Sequence, residues 1–311
     1  MKALCIALTT AAITARTTWR QLDNYDFHDY IKEFGHKWEK GSPEFLKRQI
    51  IFTEELNRVK AHNAKKLSWK EGVNFMSAMT LEEKKAYMGF HKGAHQNHKP
   101  KNLKPFDLKM KSLKDLPEDI DWRQKEVVSP VKDQGQCGSC WAFASTATIE
   151  SHVALNSGLL FDLSPQQIAS CAPNPDQCGG TGGCYGATAE IAFDYIAGSD
   201  GMVQEFQMPY YSYFGDAHDC NVPSGAKASV DGYVKLPENN YTALMNAVAS
   251  VGPIAISVDA TGWGAYESGV YKVWNQNAPV INHAVVLGMS HIFILIFTLS
   301  NMSSYTHAYV T

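Results

Sequence analysis

The stretch that decides the fold of this chain reads Gln134-Gly135-Gln136-Cys137-Gly138-Ser139-Cys140-Trp141. Gly138 and Ser139 predict a turn before Cys140, and the apolar residues that follow predict a helix from Cys140 to about Leu155. A cysteine in the first turn of a helix lies at the positive end of the helix dipole, which stabilises its thiolate. Cys140 is therefore a candidate nucleophile.

The candidate general base for this thiol is His283, which lies 143 residues farther along the chain in Asn282-His283-Ala284. An imidazole can take the proton of a thiol and later return it to a leaving group. A tetrahedral intermediate also needs donors for its oxyanion, for which the Gln134 amide and the Cys140 N–H are candidates. Taken singly, His283 could be a buried structural histidine and Gln134 a surface turn residue. Their spacing from Cys140 favours the catalytic interpretation.

Two other kinds of site fit part of this pattern. Cys137 and Cys140 have the C-x-x-C spacing of thiol–disulfide oxidoreductases, which would use neither the upstream glutamine nor the downstream histidine. A zinc site that adds Cys178 and Cys184 is also weak, because the later cysteine spacings lack a paired knuckle. We expect no metal and no cofactor.

Length and charge exclude some functional classes. The 311 residues, 45% of them hydrophobic, can form one sizeable core and a smaller appended domain. The formal net charge is -3 with both signs scattered, so no nucleic-acid partner is expected. No apolar run reaches the roughly 18 residues of a membrane-spanning helix.

The chain begins like a secreted protein. Residues 1–15 combine Lys2, an apolar stretch and a small residue at Ala15, which predicts a signal peptide, with a buried amphipathic helix as the alternative. Beyond Cys5, the other six cysteines lie between residues 137 and 220, which suits an oxidising compartment better than a cytosolic enzyme with free thiols. We predict the secretory pathway, ending in a lysosome-like acidic compartment or outside the cell.

A separate helical unit is predicted ahead of the catalytic segment. Residues 19–90 have apolar residues at helical spacing and no cysteine, which predicts two packed helices. The second should start at Ser42-Pro43 and end near Asn63. Residues 91–116 have little periodicity, which predicts an exposed connector open to proteolytic cutting.

Short strands are predicted in the second half of the chain. Apolar or β-branched runs bounded by turn residues occur at Ser229–Val234, Ile254–Val258 and His283–Leu287. This half is therefore expected to be mostly β.

Together these residues resemble the papain-like cysteine peptidases, of the cathepsin L-like kind that is made as a zymogen. The propeptide pattern of that family resembles Glu44, Arg48, Phe52, Val59 and Asn63, and its mature part resembles the octapeptide and Leu163-Ser164-Pro165-Gln166-Gln167. The resemblance covers most of residues 25–288. It implies an α+β, papain-like, two-lobed fold with a helical lobe and a β-barrel-like lobe, preceded by a small helical propeptide domain.

The resemblance also implies a domain order. The expected segments are a signal peptide at 1–15, an inhibitory propeptide and connector at 16–112, an incomplete peptidase domain at 113–288 and a divergent tail at 289–311. The implied function is a cysteine-type endopeptidase with Cys140 as nucleophile, His283 as acid and base, and Gln134 in the oxyanion hole. Its partners would be peptide or protein substrates and its own propeptide, and the protein would be a monomer.

Further roles are implied by the resemblance alone. The family's disulfides would join Cys137 to Cys184 and Cys171 to Cys220, which leaves Cys178 without a partner. Gly186 and Ala187 would contact an extended substrate, although the family has glycine at the second position. The specificity pocket would be lined by Thr188, Ala189, Ser257 and Ala284, which could equally be ordinary packing positions.

The sequence departs from the family after Gly288. The family continues to a K-N-S-W-G motif, whose Asn orients the catalytic histidine, whereas this chain has an apolar run from Ile292 to Phe297 that predicts one buried strand. Asn301 lies at a plausible distance but lacks the flanking Trp and Gly. The alternative function is therefore an inactive papain-like protein or a propeptide-type inhibitor. A further hypothesis is that His91, His95 and His98 loosen the propeptide at acid pH.

Overall fold

The computed structural model describes residues 16–89, 98–272, 279–291 and 308–310, with only the backbone described at 290, 291 and 308–310. The predicted signal peptide lies outside these ranges, and so do His91, His95, the run from Ile292 to Phe297, and Asn301.

The described residues form helices and short strands. The α-helices are α1 (Phe27–Phe34), α2 (Pro43–Ala64), α3 (Leu81–Lys85), α4 (Cys140–Ser157), α5 (Pro165–Cys171), α6 (Ala189–Ala197) and α7 (Tyr241–Ser250). The strands are β1 (Trp69–Glu71), β2 (Leu103–Lys104), β3 (Asp119–Asp121), β4 (Tyr233–Lys235), β5 (Ile254–Val258), β6 (Tyr266–Gly269), β7 (His283–Leu287), β8 (Met289–His291) and β9 (Ala308–Val310). Within these residues, no helix has the length and apolar character needed to cross a membrane.

The described residues form two compact units. The first runs to Met79 and includes Ala265–Gly269, and the second contains the rest. In the first unit, α1 and α2 are the two predicted helices. The Ser42 hydroxyl accepts a hydrogen bond from the N–H of Phe45, as the predicted cap requires. The helices share a largely aromatic core that includes Phe27, Tyr30, Phe45 and Phe52.

The second unit has one apolar core around α4. Twelve of the 18 residues of α4 are buried, and Trp141 and Ile149 are completely inaccessible to solvent. Helices α5 and α6 pack on α4. Because this helix is surrounded by protein, its first residue, Cys140, has a fixed position.

The second core lies beside an open sheet whose strand order is β2-β4-β9-β5-β7. Its apolar residues come mainly from α7 and β5, and β2 alone runs parallel to its neighbour. The expected α+β class is confirmed, but the described strands form an open sheet where a β-barrel-like lobe was expected. The described parts of the tail are paired in this unit, β8 with β3 and β9 with β4 and β5.

Two expectations for the second half are wrong. The predicted strand Ser229–Val234 is a strand only from Tyr233 onward, because Gly232 adopts a φ of 148° that breaks the extended run. The second half of the chain also has less strand structure than expected, because the helix α7 follows β4. Asn240 starts α7 by accepting a hydrogen bond from the N–H of Ala243 at 2.9 Å.

Candidate active site

Cys140 is the first residue of α4 and is 1% exposed. Ser139 precedes it as the N-cap residue, but its hydroxyl lies 2.8 Å from the hydroxyl of Tyr210 and does not cap the helix. The first turn contains no acidic residue that would neutralise the positive end of the dipole. The thiol therefore lies where a helix favours negative charge.

The segment before Cys140 is fixed by a second loop. Cys137 forms a disulfide with Cys184, and the N–H of Gly138 donates to the carbonyl of Cys184 at 2.9 Å. A Cβ on Gly138 would lie 2.5 Å from that carbonyl oxygen, so only glycine fits. The Trp141 indole also donates to the carbonyl of Gly183 at 3.1 Å. These contacts fix the entry into α4.

The Gln134 amide is held beside the same segment. Its Nε2 donates to the carbonyl of Cys137 at 2.8 Å and to the carbonyl of Tyr87 at 2.9 Å. Gly135 makes the following turn with φ of 59°, and its missing side chain leaves room for Tyr213. The carbonyl oxygen of Tyr87 thus accepts a hydrogen bond from the amide group that is predicted to bind the oxyanion.

A buried carboxylate ties the loop before Gln134 to α4. Glu150 is completely buried, and its Oε1 lies 2.5 Å from Nζ of Lys132 and accepts from the N–H of Leu163 at 2.7 Å. Lys132 also pairs with the exposed Asp162 at 2.8 Å. Burial raises the pKa of Glu150, and the Lys132 ammonium opposes that rise. We infer that Glu150 positions the loop.

Glu150→Ala should lower the free energy of unfolding by about 3–5 kcal/mol, because it leaves the Lys132 ammonium without its buried acceptor. Asp162→Ala is the matched control, since it removes the exposed carboxylate from the same lysine and should cost about 1 kcal/mol or less. Urea unfolding of the two variants measures both values. Equal losses would show that Glu150 has no special role.

His283 is the first residue of β7, and its pairing brings it to the start of α4. It lies opposite Val258 of β5, and the N–H of the next residue, Ala284, donates to Sγ of Cys140 at 3.3 Å. The structure therefore brings the predicted nucleophile and base to the same corner of the second unit.

The imidazole of His283 lies against Trp263, with ring centroids 6.5 Å apart and planes at 84°. Burial lowers the pKa of His283 to about 4. Its Nδ1 is buried and has no hydrogen-bond partner within the part of the chain that the structure describes. Asn282 holds the neighbouring turn, accepting from the N–H of Ala260 at 2.9 Å and donating to the Thr261 hydroxyl at 3.0 Å. Sequence reasoning missed Trp263, whose only signal was a large aromatic between two glycines.

The Cys140 thiol is neutral in this state. Burial raises its pKa to about 11, although the N–H groups of Ala284 and Gly89 donate toward the sulfur and act against that rise. With a pKa near 4, His283 is also uncharged at neutral pH. The two groups are adjacent but do not form an ion pair.

Residues Tyr87–Gly89 cross the site. The N–H of Ala187 donates to the carbonyl of Gly89 at 3.2 Å, and Gly186, with φ of 87°, leaves the space that this carbonyl fills. A Cβ on Gly89 would lie 2.0 Å from the carbonyl oxygen of Gly138 and 2.9 Å from the Cys140 sulfur. Ala187 keeps the backbone donor that an extended peptide needs, although the family has glycine there.

The remaining predicted site residues lie nearby. Thr188 and Ala189 begin α6, Ser257 lies opposite Ala284 in the β5–β7 pair, and all four are buried. Whether they contact substrate stays a prediction.

The structure also joins Cys171 to Cys220 and leaves Cys140 and Cys178 as buried free thiols. Because Cys137 and Cys184 are joined to each other, neither is available as a zinc thiolate or as a redox partner of Cys140. Among the described residues, no group of three His, Cys, Asp or Glu side chains could hold a metal ion.

Comparison with known families gives two matches. Residues 116–288 match the papain family cysteine protease domain, and residues 27–83 match the cathepsin propeptide inhibitor domain.

Individual relatives agree with these matches. Procathepsin L of Mus musculus is 33% identical over 265 residues, which span 81% of this chain and 75% of that protein. The oryzain beta chain of Oryza sativa subsp. japonica is 34% identical over 256 residues, 79% of this chain and 52% of that protein. Digestive procathepsin L 3 of Tenebrio molitor superposes with a TM-score of 0.70 at 31% identity, covering 85% of this chain and 84% of that one.

Proposed function

Because the chain belongs to the papain family of cysteine proteases, we propose that Cys140 is its nucleophile, His283 its acid and base, and Gln134 a donor to its oxyanion. The protein is a cysteine-type endopeptidase made as a zymogen, since it also carries the cathepsin propeptide inhibitor domain. The comparisons give no support to the inactive alternative.

The proposed reaction has two steps. The Cys140 thiolate attacks the peptide carbonyl carbon, and the oxyanion accepts hydrogen bonds from the Gln134 amide and the Cys140 N–H. The C–N bond breaks as His283 protonates the leaving amine, which leaves a thioester on Cys140. His283 then takes a proton from water, the hydroxide attacks the thioester carbonyl carbon, and the C–S bond breaks to release the acid, which returns the Cys140 thiolate and a protonated His283 as at the start.

One observation carries this proposal: Tyr87–Gly89 lies across Cys140 with its carbonyls held by the groups that would hold a substrate. Gln134 donates to Tyr87 and Ala187 donates to Gly89, while Gly186 makes room for the backbone. The same donors would bind an extended substrate after this segment has left.

The domain limits are part of the proposal. We place the inhibitory propeptide and connector at 16–112, the peptidase domain at 113–288 and the divergent tail at 289–311. The matched ranges 27–83 and 116–288 fall inside the first two segments.

We further propose a monomer of the secretory pathway that acts in an acidic compartment or outside the cell. Two disulfides support an oxidising environment during folding. The substrates would be peptides or proteins that reach the same compartment.

The pH dependence of Cys140 alkylation by iodoacetamide tests the proposal. In the uncut chain the pKa of this thiol is raised, so the neutral form dominates and the rate should stay low until the pH rises above about 9. After the propeptide is cut away, water and a protonated His283 can stabilise the thiolate, and the rate at pH 5–6 should rise by at least about 100-fold.

Cys178 is the internal control, because burial raises its pKa too and no histidine is proposed to activate it. Mass spectrometry quantifies both thiols in one sample. A processed enzyme whose Cys140 still reacts only above pH 9 would disprove the assignment.

A further inference from the structure

Part of the connector between the propeptide helices and the peptidase is held on α6 by hydrogen bonds. We define the connector segment as His98–Lys104. The Asp194 carboxylate on α6 lies 2.6 Å from Nε2 of His98 and accepts from the N–H of Lys101 at 3.1 Å and of Asn102 at 2.8 Å. Asp194 is 8% exposed, so these donors replace water around a nearly buried charge.

The backbone of the connector segment also extends the sheet. The N–H of Tyr233 donates to the carbonyl of Asn102 at 3.2 Å, and β2 then runs parallel to β4 with Leu103 opposite Tyr233. A Cβ on Gly232 would lie 2.2 Å from the Asn102 carbonyl oxygen, so glycine is needed for this close approach. The edge of β4 is thus shaped to accept an added strand.

The charge of the connector segment also complements the surface that it covers. The connector segment reads His98-Lys99-Pro100-Lys101-Asn102-Leu103-Lys104 and is strongly basic. The surface beneath it contributes Asp194, which is 8% exposed, whereas Glu190 on the same helix pairs with Lys235 at 3.1 Å. Burial and then the Asp194 and Glu190 carboxylates raise the pKa of Tyr233.

We propose that Asp194, Gly232 and the edge of β4 form a peptide-binding site outside the catalytic cleft, and that the connector segment stays there after the propeptide helices have been removed. Peptide hydrolysis does not require such a site. If the segment left, Asp194 would lose the three polar contacts that His98, Lys101 and Asn102 supply, and water would have to replace them.

Limited trypsin digestion of the full chain with Cys140→Ala tests whether the connector segment is held at this site, and it does not require catalysis. Lys101–Asn102 is the one lysyl bond of the connector segment that is not followed by proline. We expect it to be cut at least about tenfold more slowly than the exposed Lys109–Met110 bond, because cutting requires the segment to open. Asp194→Asn keeps the shape but replaces one accepting oxygen by a donor, and should remove this protection.

Gly232→Ala is a second variant, whose Cβ displaces the Asn102 carbonyl. Asp231→Asn is the matched control, since it removes an exposed carboxylate from the same loop and should leave Lys101–Asn102 protected. Unchanged cutting elsewhere in the chain shows that a variant is folded. Equal rates of cleavage at Lys101–Asn102 in the parent chain and in both test variants would overturn the proposal that Asp194 and β4 hold the connector segment.

Retention is tested on the wild-type chain after processing. The enzyme is alkylated at Cys140 to stop hydrolysis, purified by size exclusion under native conditions, and its peptides are identified by mass spectrometry. We expect residues 98–104 in equimolar amount with the peptidase, either as a bound peptide or as its N-terminal extension, and a loss of about tenfold or more in Asp194→Asn. A folded wild-type enzyme without these residues would overturn the proposal, whether or not Cys140 is the nucleophile.

Discussion

Cys140→Ala should lower kcat/KM of the processed enzyme by at least about 10⁴-fold, whereas Cys178→Ala should leave it within about threefold. Both residues are buried free thiols of the same unit. Comparing the two variants therefore shows whether activity depends on the position of Cys140 or on any buried thiol. Cys140 begins α4 and accepts from the N–H next to His283. The Cys178 thiol lies 4.0 Å from the carbonyl of Asp176 and begins no helix.

A fluorogenic peptide measures the activity, and an external protease cuts both variants because Cys140→Ala cannot process itself. Labelling by a peptide epoxide, located by mass spectrometry, should mark Cys140 alone. Residual activity in Cys140→Ala, or an epoxide on Cys178, would contradict the assignment.

Gly89→Ala should activate the uncut chain, raising the rate at which a peptide epoxide labels Cys140 at pH 7 by about tenfold or more. The added Cβ would lie 2.0 Å from the carbonyl oxygen of Gly138. That oxygen belongs to a backbone fixed by the disulfide of Cys137, so it cannot rotate aside. Tyr87–Gly89 must therefore leave the site around Cys140 or shift within it.

Gly264→Ala is the matched control, because a Cβ there meets no atom within 4 Å and its φ is not in the left-handed region. Labelling is timed before any cutting occurs, and gel electrophoresis confirms the length of the chain. A Gly89→Ala chain that reacts as slowly as the wild type would show that Tyr87–Gly89 does not restrict access to the thiol.

The sequence predicts the catalytic helix well because the signal is local. Gly138 and Ser139 end the preceding loop and an apolar run follows Cys140, so both the start of α4 and its burial can be inferred from one stretch. His283 could be proposed from its separation from Cys140 and its family-like neighbours. The matched peptidase range ends at Gly288, where the sequence itself departs from the family.

The supporting groups could not be predicted because their partners are remote in sequence. Glu150 meets Lys132 and Leu163 only after α4 has packed, and Asp194 meets the connector segment across about 90 residues. Neither carboxylate belongs to a recognisable motif. Trp263 likewise meets His283 from about 20 residues away, beside the turn at Ala260 and Thr261 to which Asn282 is hydrogen-bonded.

β9 lies in the middle of its sheet although it is the last of those strands in chain order. While a ribosome is still adding the residues that precede Ala308, β4 and β5 lack the strand that joins them, and each has an unpaired edge. The front helices are made first and can fold during synthesis, but this sheet is completed only after β9 has emerged. Until β9 is added, a nascent chain therefore has two unpaired strand edges, which are prone to pair with strands of other chains.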